Sequence, residues 1–282
     1  MKKLLYIYSN DKSGKNLGFK KKDYIIKCLS TQYEVSSYCF NEFSQIIDHI
    51  SSINDLYALV ISGGDGTLHN LVNALLRANL KHLPIIGYLP TGTMNDCFKT
   101  YGYKSLNHAL KIINEGHIEE INLGKCNDQY FIYLAANGCY SDISYNVSRN
   151  EKKKVGKLSY YLLSIKEAFS KKDLIEYKID KNLTYNSPFL MVMNGKYVGG
   201  FKVNKDFQKD NNTLTTFITE PGIFNGLIHY INKRKVNLLS CEHISLEAKN
   251  NSLWCLDGEK YQFDKAEISL VKNALKIFTK NN

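Results

Sequence analysis

Up to about residue 120, short apolar runs alternate with longer stretches in which apolar residues recur at helical spacing. The predicted strands cover residues 3–8, 33–39, 56–62 and 84–89, and the predicted helices cover residues 20–29, 43–53, 68–80 and a region ending at residue 113. Strands that alternate with helices favour a parallel sheet with helices on its faces. The pattern predicts an α/β N-terminal domain.

The pattern changes after about residue 121, where short runs of β-branched and aromatic residues follow one another between polar turns. Strands are predicted at residues 129–135, 175–179, 188–193, 214–218, 244–248 and 252–256, with one helix at 158–170. Such a series is typical of a mainly antiparallel β-sandwich or barrel. We therefore predict two domains: residues 1–121, completed by 272–282, and residues 122–271.

Charge and cysteine usage narrow the classes of function. The formal net charge is +10, almost all of it from lysine, and there are only three arginines. Excess lysine favours attraction to polyanions, but lysine reads base edges poorly and no nucleic-acid-binding motif is present, so we predict no nucleic-acid partner. None of the seven cysteines forms a C-x-x-C pair, which predicts free thiols in a reducing compartment.

The apolar runs are short. None approaches the ~20 residues that a membrane-spanning helix needs, and the run behind Met1 is too short for a signal peptide. We therefore expect a cytoplasmic protein.

The strongest motif is the glycine-rich segment Gly63-Gly64-Asp65-Gly66-Thr67. It follows a predicted buried strand and precedes a predicted helix. Glycines allow a sharp turn that presents backbone N–H groups to an anion, and the N-terminus of the next helix adds a positive dipole end. The Thr67 hydroxyl can donate to phosphate, and the Asp65 carboxylate can engage Mg²⁺ directly or through water. The next residue but one, His69, is expected to be a solvated or capping residue.

A second motif, Pro90-Thr91-Gly92-Thr93-Met94-Asn95-Asp96, follows the next predicted strand. Gly92 and Thr93 could form a second turn that faces phosphate or ribose. Asn95 and Asp96 also suit helix capping. Loops at neighbouring strand ends lie where open α/β sheets bind ligands.

Two further motifs are weaker by themselves. The segment Asn10-Asp11-Lys12-Ser13-Gly14-Lys15 follows the first strand, and its Ser-Gly turn with an adjacent lysine can hold a phosphate, although an ordinary turn fits equally well. The segment Asp257-Gly258-Glu259 places two carboxylates around a glycine after a strand. A carboxylate there could take a proton from a hydroxyl substrate, whereas a plain hairpin turn is the common role of such a segment.

Together the four motifs resemble the bacterial diacylglycerol kinase-like lipid kinases, whose catalytic domain is shared with sphingosine and ceramide kinases. The family pattern N-P-x-S-G, G-G-D-G-T, P-x-G-T-x-N-D and D-G-E corresponds to residues 10–14, 63–67, 90–96 and 257–259, in the same order. The resemblance implies an NAD kinase-like α/β domain, a β-sandwich facing it across a cleft, a peripheral position at the inner face of the membrane and a homodimer as one possible assembly.

The resemblance also implies the site. Its ATP-binding residues would be Asn10, Ser13, Gly14, Lys15, Gly63, Gly64, Asp65, Gly66, Thr67, Gly92, Thr93, Asn95 and Asp96. Mg²⁺ would lie near Asp65, which would also contribute to catalysis, and Asp210 would be a second metal ligand. The base that deprotonates a lipid hydroxyl would be Asp257 or Glu259.

The chain departs from the family pattern at three carboxylates, since Asn70, Asn122 and Asn211 stand where acidic residues are usual. Fewer carboxylates would weaken Mg²⁺ binding. The leading interpretation is an ATP-dependent lipid kinase with a diacylglycerol-like acceptor. Two alternatives stay open: a catalytically weak or inactive regulator that binds lipid or nucleotide, and an NAD kinase, in which G-G-D-G-T also occurs.

Overall fold

The computed structural model describes residues 1–9, 17–78, 80–92, 94–138, 174–179, 183–187, 189–219 and 236–281. The chain divides into two compact units: unit 1 comprises Met1–Leu123 and Lys272–Asn282, and unit 2 comprises Gly124–Val271. The sequence-based boundary lies between residues 121 and 122, with a return to the first domain at residue 272. The helix predicted at 158–170 lies outside the described residues, as do Asn10, Ser13, Gly14, Lys15 and Thr93.

Unit 1 is an α/β unit, as predicted. Its strands are β1 Lys2–Ser9, β2 Tyr33–Phe40, β3 Leu56–Gly63 and β4 Ile85–Pro90, and its helices are α1 Leu17–Lys20, α2 Lys22–Leu29, α3 Phe43–Ser51, α4 Asp65–Arg77, α5 Asp96–Thr100 and α6 Leu106–Glu115. The four strands are parallel, in the order β2-β1-β3-β4. None of the helices in the described part of the chain is long and apolar enough to cross a bilayer.

The central strands of this sheet are buried along their length. Five consecutive residues of β1 and five of β3 are buried. Continuous burial of this kind requires cover on both faces, which the flanking helices of an α/β fold supply. The apolar runs at residues 4–8 and 58–61 therefore form strands because both faces of each strand lie in the core.

The strand order contains a topological switch. The chain moves from β1 to β2 on one side of the sheet and later from β3 to β4 on the other. The connections after β1 and β3 therefore diverge, and ligands of open α/β sheets bind in the crevice that such a divergence leaves at the carboxyl ends of the strands. The G-G-D-G-T segment directly follows β3 and so lies at this point.

Helix α4 begins earlier than predicted. Its first residue is Asp65, whereas the spacing of apolar residues predicts a start at Leu68. Gly64 has an extended backbone and its carbonyl accepts the N–H of Leu68 at 3.1 Å, so Asp65, Gly66 and Thr67 form the first helical turn. The motif is therefore partly the N-terminus of a helix, which places its backbone N–H groups where they can face an anion.

Tyr6, a fully buried residue of β1, links the region after the first motif to β3. Its hydroxyl donates to the Gly18 carbonyl at 3.1 Å and lies 3.1 Å from the Ser62 Oγ. Gly18 packs so closely that a Cβ there would lie 2.0 Å from the Ser62 Oγ. Burial raises the pKa of Tyr6 far above the ordinary value for tyrosine, so the hydroxyl keeps its proton.

Unit 2 consists of antiparallel strands, as predicted. The strands are β5 Ile118–Cys126, which begins in unit 1, β6 Gln129–Phe131, β7 Leu134–Gly138, β8 Ile175–Ile179, β9 Leu183–Ser187, β10 Phe189–Met193, β11 Tyr197–Val198, β12 Phe201–Lys202, β13 Leu214–Thr219, β14 Val236–Cys241, β15 His243–Leu256 and β16 Glu259–Phe278, which ends in unit 1. Strands β14, β13, β10, β7 and β15 are neighbours in that order. The end of β16 pairs in parallel with β4 in unit 1.

One hydrophobic cluster holds unit 2 together. Trp254, Tyr177 and Phe131 are its largest fully buried side chains. Trp254 is completely buried in this cluster and therefore has a packing role. Because Trp254 lies in β15 immediately before the D-G-E segment, the core fixes the strand that carries that segment.

We expect Tyr6→Phe to lower the free energy of unfolding by about 1–2 kcal/mol, because it leaves a buried carbonyl and the Ser62 hydroxyl without a partner. Tyr8→Phe is the matched control: it removes the same atom from the same strand, where the structure gives the Tyr8 hydroxyl no hydrogen-bond partner among the described residues. Urea denaturation followed by circular dichroism measures both. Equal stabilities of the two variants would contradict a stabilising role of the Tyr6 hydroxyl.

Candidate active site

The two glycine-rich loops that follow β3 and β4 contact each other through their backbones. The Gly63 carbonyl accepts the N–H groups of Thr91 at 2.9 Å and Gly92 at 3.0 Å. A Cβ on Gly92 would lie 2.4 Å from the Gly64 Cα, closer than any side chain could approach. The approach of the loops therefore requires glycine at position 92, and it brings the first two motifs together.

Asp65 joins these loops by a second contact. Its Oδ2 accepts the backbone N–H of Asp96 at 3.0 Å, and its Oδ1 accepts that of Cys97 at 3.1 Å. These are the first two N–H groups of α5, which no helical carbonyl can satisfy. A carboxylate from the first loop thus caps the helix of the second loop, and its negative charge also favours the N-terminus of that helix.

The second loop is held from within by Asn95 and Tyr88. Asn95 has a left-handed backbone with φ 52°, and its Nδ2 donates to the Gly92 carbonyl at 3.0 Å. The Tyr88 hydroxyl lies between two acceptors, the Gly63 carbonyl at 3.1 Å and the Asn95 Oδ1 at 3.2 Å. Burial, with the nearby carboxylate of Asp65, raises the pKa of Tyr88 well above its ordinary value, so Tyr88 remains a donor.

The N-terminus of α4 is the part of unit 1 best suited to hold an anion. Gly64, Asp65, Gly66 and Thr67 are partly exposed, and the first N–H groups of a helix lack acceptors within it. Thr67 packs against Gly63, where an added Cβ would lie 2.4 Å from the Thr67 Cβ. A polyphosphate bound here would meet backbone donors, the helix dipole and the Thr67 hydroxyl.

The carboxylates of unit 1 can contribute to a divalent metal site but do not complete one. Asp65 is partly exposed, whereas Asp96 is 1% exposed and its Oδ1 lies 3.5 Å from the Lys99 Nζ. Within the described ranges, no three His, Cys, Asp or Glu residues are grouped so as to hold a metal ion. Mg²⁺ commonly uses one or two carboxylates together with water and substrate phosphates, so Asp65 fits the group.

Asp210, the other predicted metal ligand, is an exposed turn residue of unit 2. Its metal-binding role stays a prediction. The neighbouring Asn211 donates its backbone N–H to the Gln208 carbonyl at 3.3 Å, which is an ordinary turn contact.

Asp257 lies in unit 2, in a two-residue turn with Gly258 that connects β15 to β16. Both residues have positive φ, 51° and 97°, as a tight hairpin requires. The Asp257 side chain points inward and the residue is only 2% exposed. Its carboxylate accepts three backbone N–H groups: Oδ2 from Ile132 at 2.6 Å, and Oδ1 from Tyr133 at 2.9 Å and Leu134 at 3.0 Å.

The segment that Asp257 binds, residues 132–134, connects β6 to β7 and is held from a second direction by Asn194. The Asn194 Nδ2 donates to the Ile132 carbonyl at 3.0 Å, and the Asn194 backbone N–H donates to the Tyr133 carbonyl at 2.9 Å. We call residues 132–134 the clamped corner. The turns at Asn194 and at Asp257 therefore support the same backbone segment.

Glu259, the second carboxylate of the motif, has a different environment. It is the first residue of β16, is partly exposed and pairs through its backbone register with Leu256. No hydrogen bond or ion pair joins the Glu259 side chain to any residue that the structure describes. The structure thus places the two acids of the D-G-E segment in contrasting positions: Asp257 is buried and bonded to three backbone donors, and Glu259 is partly exposed with no side-chain partner among the described residues.

Two residues differ from what the sequence suggests. His69 is fully buried, so the expectation of a solvated residue is wrong. It lies on the inner side of α4, where Asn73 Nδ2 is 3.4 Å from its Nε2.

Tyr88 was not singled out as a site residue. A tyrosine in a buried strand, just ahead of a glycine-rich loop, needs a hydroxyl partner, and that requirement is the signal that could have found it.

Comparison with known proteins agrees with the motifs. Residues 3–126 match the family model described as "Diacylglycerol kinase catalytic domain". A protein of Staphylococcus saprophyticus named diacylglycerol kinase is 27% identical, covering 100% of this chain and 97% of the relative. The diacylglycerol kinase of Staphylococcus aureus is 32% identical, covering 78% of this chain and 71% of the relative.

The solved structures show the same fold. A crystal structure of a diacylglycerol kinase from Bacillus anthracis superposes with a TM-score of 0.82 at 24% identity, covering 99% of this chain and 97% of that one. The level of identity to the Staphylococcus aureus enzyme, over more than two thirds of both chains, extends the relationship beyond fold. The chain therefore belongs to the bacterial diacylglycerol kinase-like family of lipid kinases.

Proposed function

We propose that the protein is an ATP-dependent lipid kinase that transfers the γ-phosphoryl group to the hydroxyl of a diacylglycerol-like acceptor. The observation that carries this proposal is the pair of loops after β3 and β4, joined by the Gly63–Gly92 backbone contact and by the Asp65 cap. The pair sits at the N-terminus of α4, beside the topological switch, and so offers a preformed place for a polyphosphate.

In this proposal the nucleotide phosphates bind along residues 64–67, with Gly92, Thr93, Asn95 and Asp96 completing the binding surface. The further candidates are those of the first motif, which lie outside the described residues: Asn10, Ser13, Gly14 and Lys15. In phosphoryl transfer the protein itself does little covalent chemistry. Its main tasks are to position the reactants and to neutralise their charge.

Mg²⁺ would supply positive charge against the triphosphate and the developing charge of the leaving group. Asp65 is the residue proposed to hold it. The carboxylate accepts the backbone N–H groups of Asp96 and Cys97, and the residue is partly exposed, so it can approach the metal directly or through a water of its shell. The backbone donors that fix the carboxylate would then also fix the direction of that contact.

The acceptor side belongs to unit 2, where the D-G-E segment offers a carboxylate to take the hydroxyl proton. The lysine-rich surface, with a net charge of +10, supports a peripheral position on an anionic bilayer, since each basic residue near such a surface contributes about 1 kcal/mol. Diacylglycerol is the acceptor class named for the relatives, and we propose the same class here.

Asn122 stands where the family usually has an acidic residue, but this difference gives little support to the alternative that the protein is an inactive regulator. The Asn122 Oδ1 accepts the backbone N–H of Asn273 at 2.9 Å, and Asn273 has a left-handed backbone with φ 50°. An amide oxygen serves for this hydrogen bond as well as a carboxylate oxygen would. The substitution therefore preserves one architectural contact and does not by itself argue for lost activity.

The direct test incubates the purified chain with γ-labelled ATP, Mg²⁺ and mixed micelles that contain dioleoylglycerol. We expect a labelled phospholipid product, and none when EDTA removes the metal. A parallel incubation with NAD in place of the lipid tests the NAD kinase alternative. Binding of ATP without label in any lipid of a bacterial extract would contradict the proposal and favour the regulator; label in NADP would favour the NAD kinase.

A second prediction concerns the loop contact. We expect Gly92→Ala to weaken ATP binding at least tenfold, because its Cβ would collide with the Gly64 Cα and push the loops apart. Gly102→Ala is the control: φ is 84°, so it costs about 1 kcal/mol of stability, but its Cβ meets nothing within 4 Å. Titration calorimetry and thermal unfolding separate the two effects, and equal ATP affinity in both variants would contradict the role of the contact.

A further inference from the structure

We propose that Lys99 is a positioning residue that supplies a fixed positive charge to Asp96, so that unit 1 binds a single divalent ion, at Asp65, beside the ends of β3 and β4. The proposal rests on the kinase function proposed above and deepens it, because sites of phosphoryl transfer differ in whether they use one or two metal ions. In this arrangement the lysine takes the place of a second ion.

Two carboxyl groups are neighbours at the start of α5. The Asp65 Oδ2 accepts the backbone N–H of Asp96 at 3.0 Å, and the Asp96 carboxyl group is joined to that nitrogen within one residue. Tyr88 responds to both groups, since its pKa is raised first by burial and then by nearby negative charges that include Asp65 and Asp96. Neighbouring carboxylates repel each other, so such a pair needs positive charge close by.

Lys99 provides that charge to Asp96. The Asp96 side chain is 2% exposed, and its Oδ1 lies 3.5 Å from the Lys99 Nζ. A carboxylate with so little access to water is costly to keep ionised without a partner, and the ammonium group offsets this cost. Asp65, by contrast, is partly exposed, so a hydrated ion can approach it.

Helix α5 itself places the two charges together. Asp96 is its first residue and Lys99 lies in its last turn, and side chains at this i,i+3 spacing meet on one face of a helix. The Lys99 side chain is 37% exposed, so it is not buried with its partner. The helix therefore carries both the carboxylate and its counter-ion, and no metal is needed to complete the pair.

The pair changes the charge that a nucleotide meets. Without Lys99, Asp96 would add a second negative charge beside Asp65, which would repel a triphosphate and attract a second divalent ion. Mg²⁺ needs only one or two carboxylates, because water and substrate phosphates supply its other ligands. With Lys99 in place, we expect one ion at Asp65 to accompany the nucleotide.

The test counts the ions that stay with the protein. Mn²⁺ serves as the probe because it binds the same oxygen ligands as Mg²⁺. The chain is dialysed to equilibrium against MnCl₂ and the non-hydrolysable ATP analogue AMP-PNP, and bound Mn²⁺ is related to bound nucleotide. We expect Lys99→Met to retain one Mn²⁺ more per chain than the unaltered protein, and Lys99→Met/Asp96→Asn to lose that additional ion.

Two controls separate the charge of Lys99 from other effects. Lys99→Arg keeps the positive charge and should match the unaltered chain. Lys111→Met removes a lysine that is paired with Glu115 at 3.6 Å in another helix of unit 1, and it should also match. If Lys99 only stabilised α5, Lys99→Met would lower the temperature of thermal unfolding and leave the Mn²⁺ count unchanged.

Two further variants test the proposal without altering Lys99. Asp96→Asn should retain the Mn²⁺ count of the unaltered chain, and Asp65→Asn should lose one ion. Because counts are compared between variants, an ion held elsewhere, such as at Asp210, does not affect the result.

The proposal is overturned by an unchanged Mn²⁺ count in folded Lys99→Met, by an additional ion that persists in the double variant, or by a gain in Lys99→Arg or Lys111→Met. Loss of Mn²⁺ in Asp96→Asn, or its retention in Asp65→Asn, overturns it as well. An unaltered chain that binds no AMP-PNP would instead contradict the kinase function itself, so the two failures are distinguishable.

Discussion

The geometry of unit 1 at the ends of β3 and β4 depends on one carboxylate. Asp65 accepts the first two N–H groups of α5 and so fixes the second loop against the first. Around this cap, Gly92 allows the backbones to touch, and Tyr88 shares its proton between a carbonyl of one loop and a side chain of the other. In the described part of the loops, the other links are the two backbone hydrogen bonds to the Gly63 carbonyl and the contacts of the Tyr88 hydroxyl. A binding surface built this way is preorganised before any ligand arrives.

A carboxylate that accepts backbone N–H groups also occurs in unit 2, in a different environment. Asp257 also accepts backbone N–H groups, but three of them, and it is buried. Asp65 is partly exposed. The two aspartates are equivalent as letters in a sequence motif, but the structure shows that their carboxylates differ in how accessible they are to a ligand. The exposure of a carboxylate, together with the hydrogen bonds that it accepts, decides whether it can contact a ligand or only supports the backbone.

Much of the fold follows from the sequence because local pattern and burial agree. The central parallel strands of unit 1, β1 and β3, each carry five consecutive buried residues, and the antiparallel strands of unit 2 carry β-branched and aromatic residues between polar turns. The start of α4 at Asp65 was missed because glycines disfavour helix interiors, whereas at the first turn their free backbone is compatible with the helix. Strands 244–248 and 252–256 were predicted separately and form one strand, β15, because pairing with β16 resumes beyond a register shift.

Only part of the candidate site can be predicted from the sequence. Motif spacing brings Gly63–Thr67 and Gly92 to one edge of the sheet, and the structure joins them there. The sequence cannot show that Asp65 caps α5 or that Asp257 faces the clamped corner, because both contacts join segments far apart in the chain. Asn122 illustrates the converse: its departure from the family pattern looks like a loss, yet its amide oxygen makes the contact that its position requires. Whether a changed residue costs function depends on which of its atoms the fold uses.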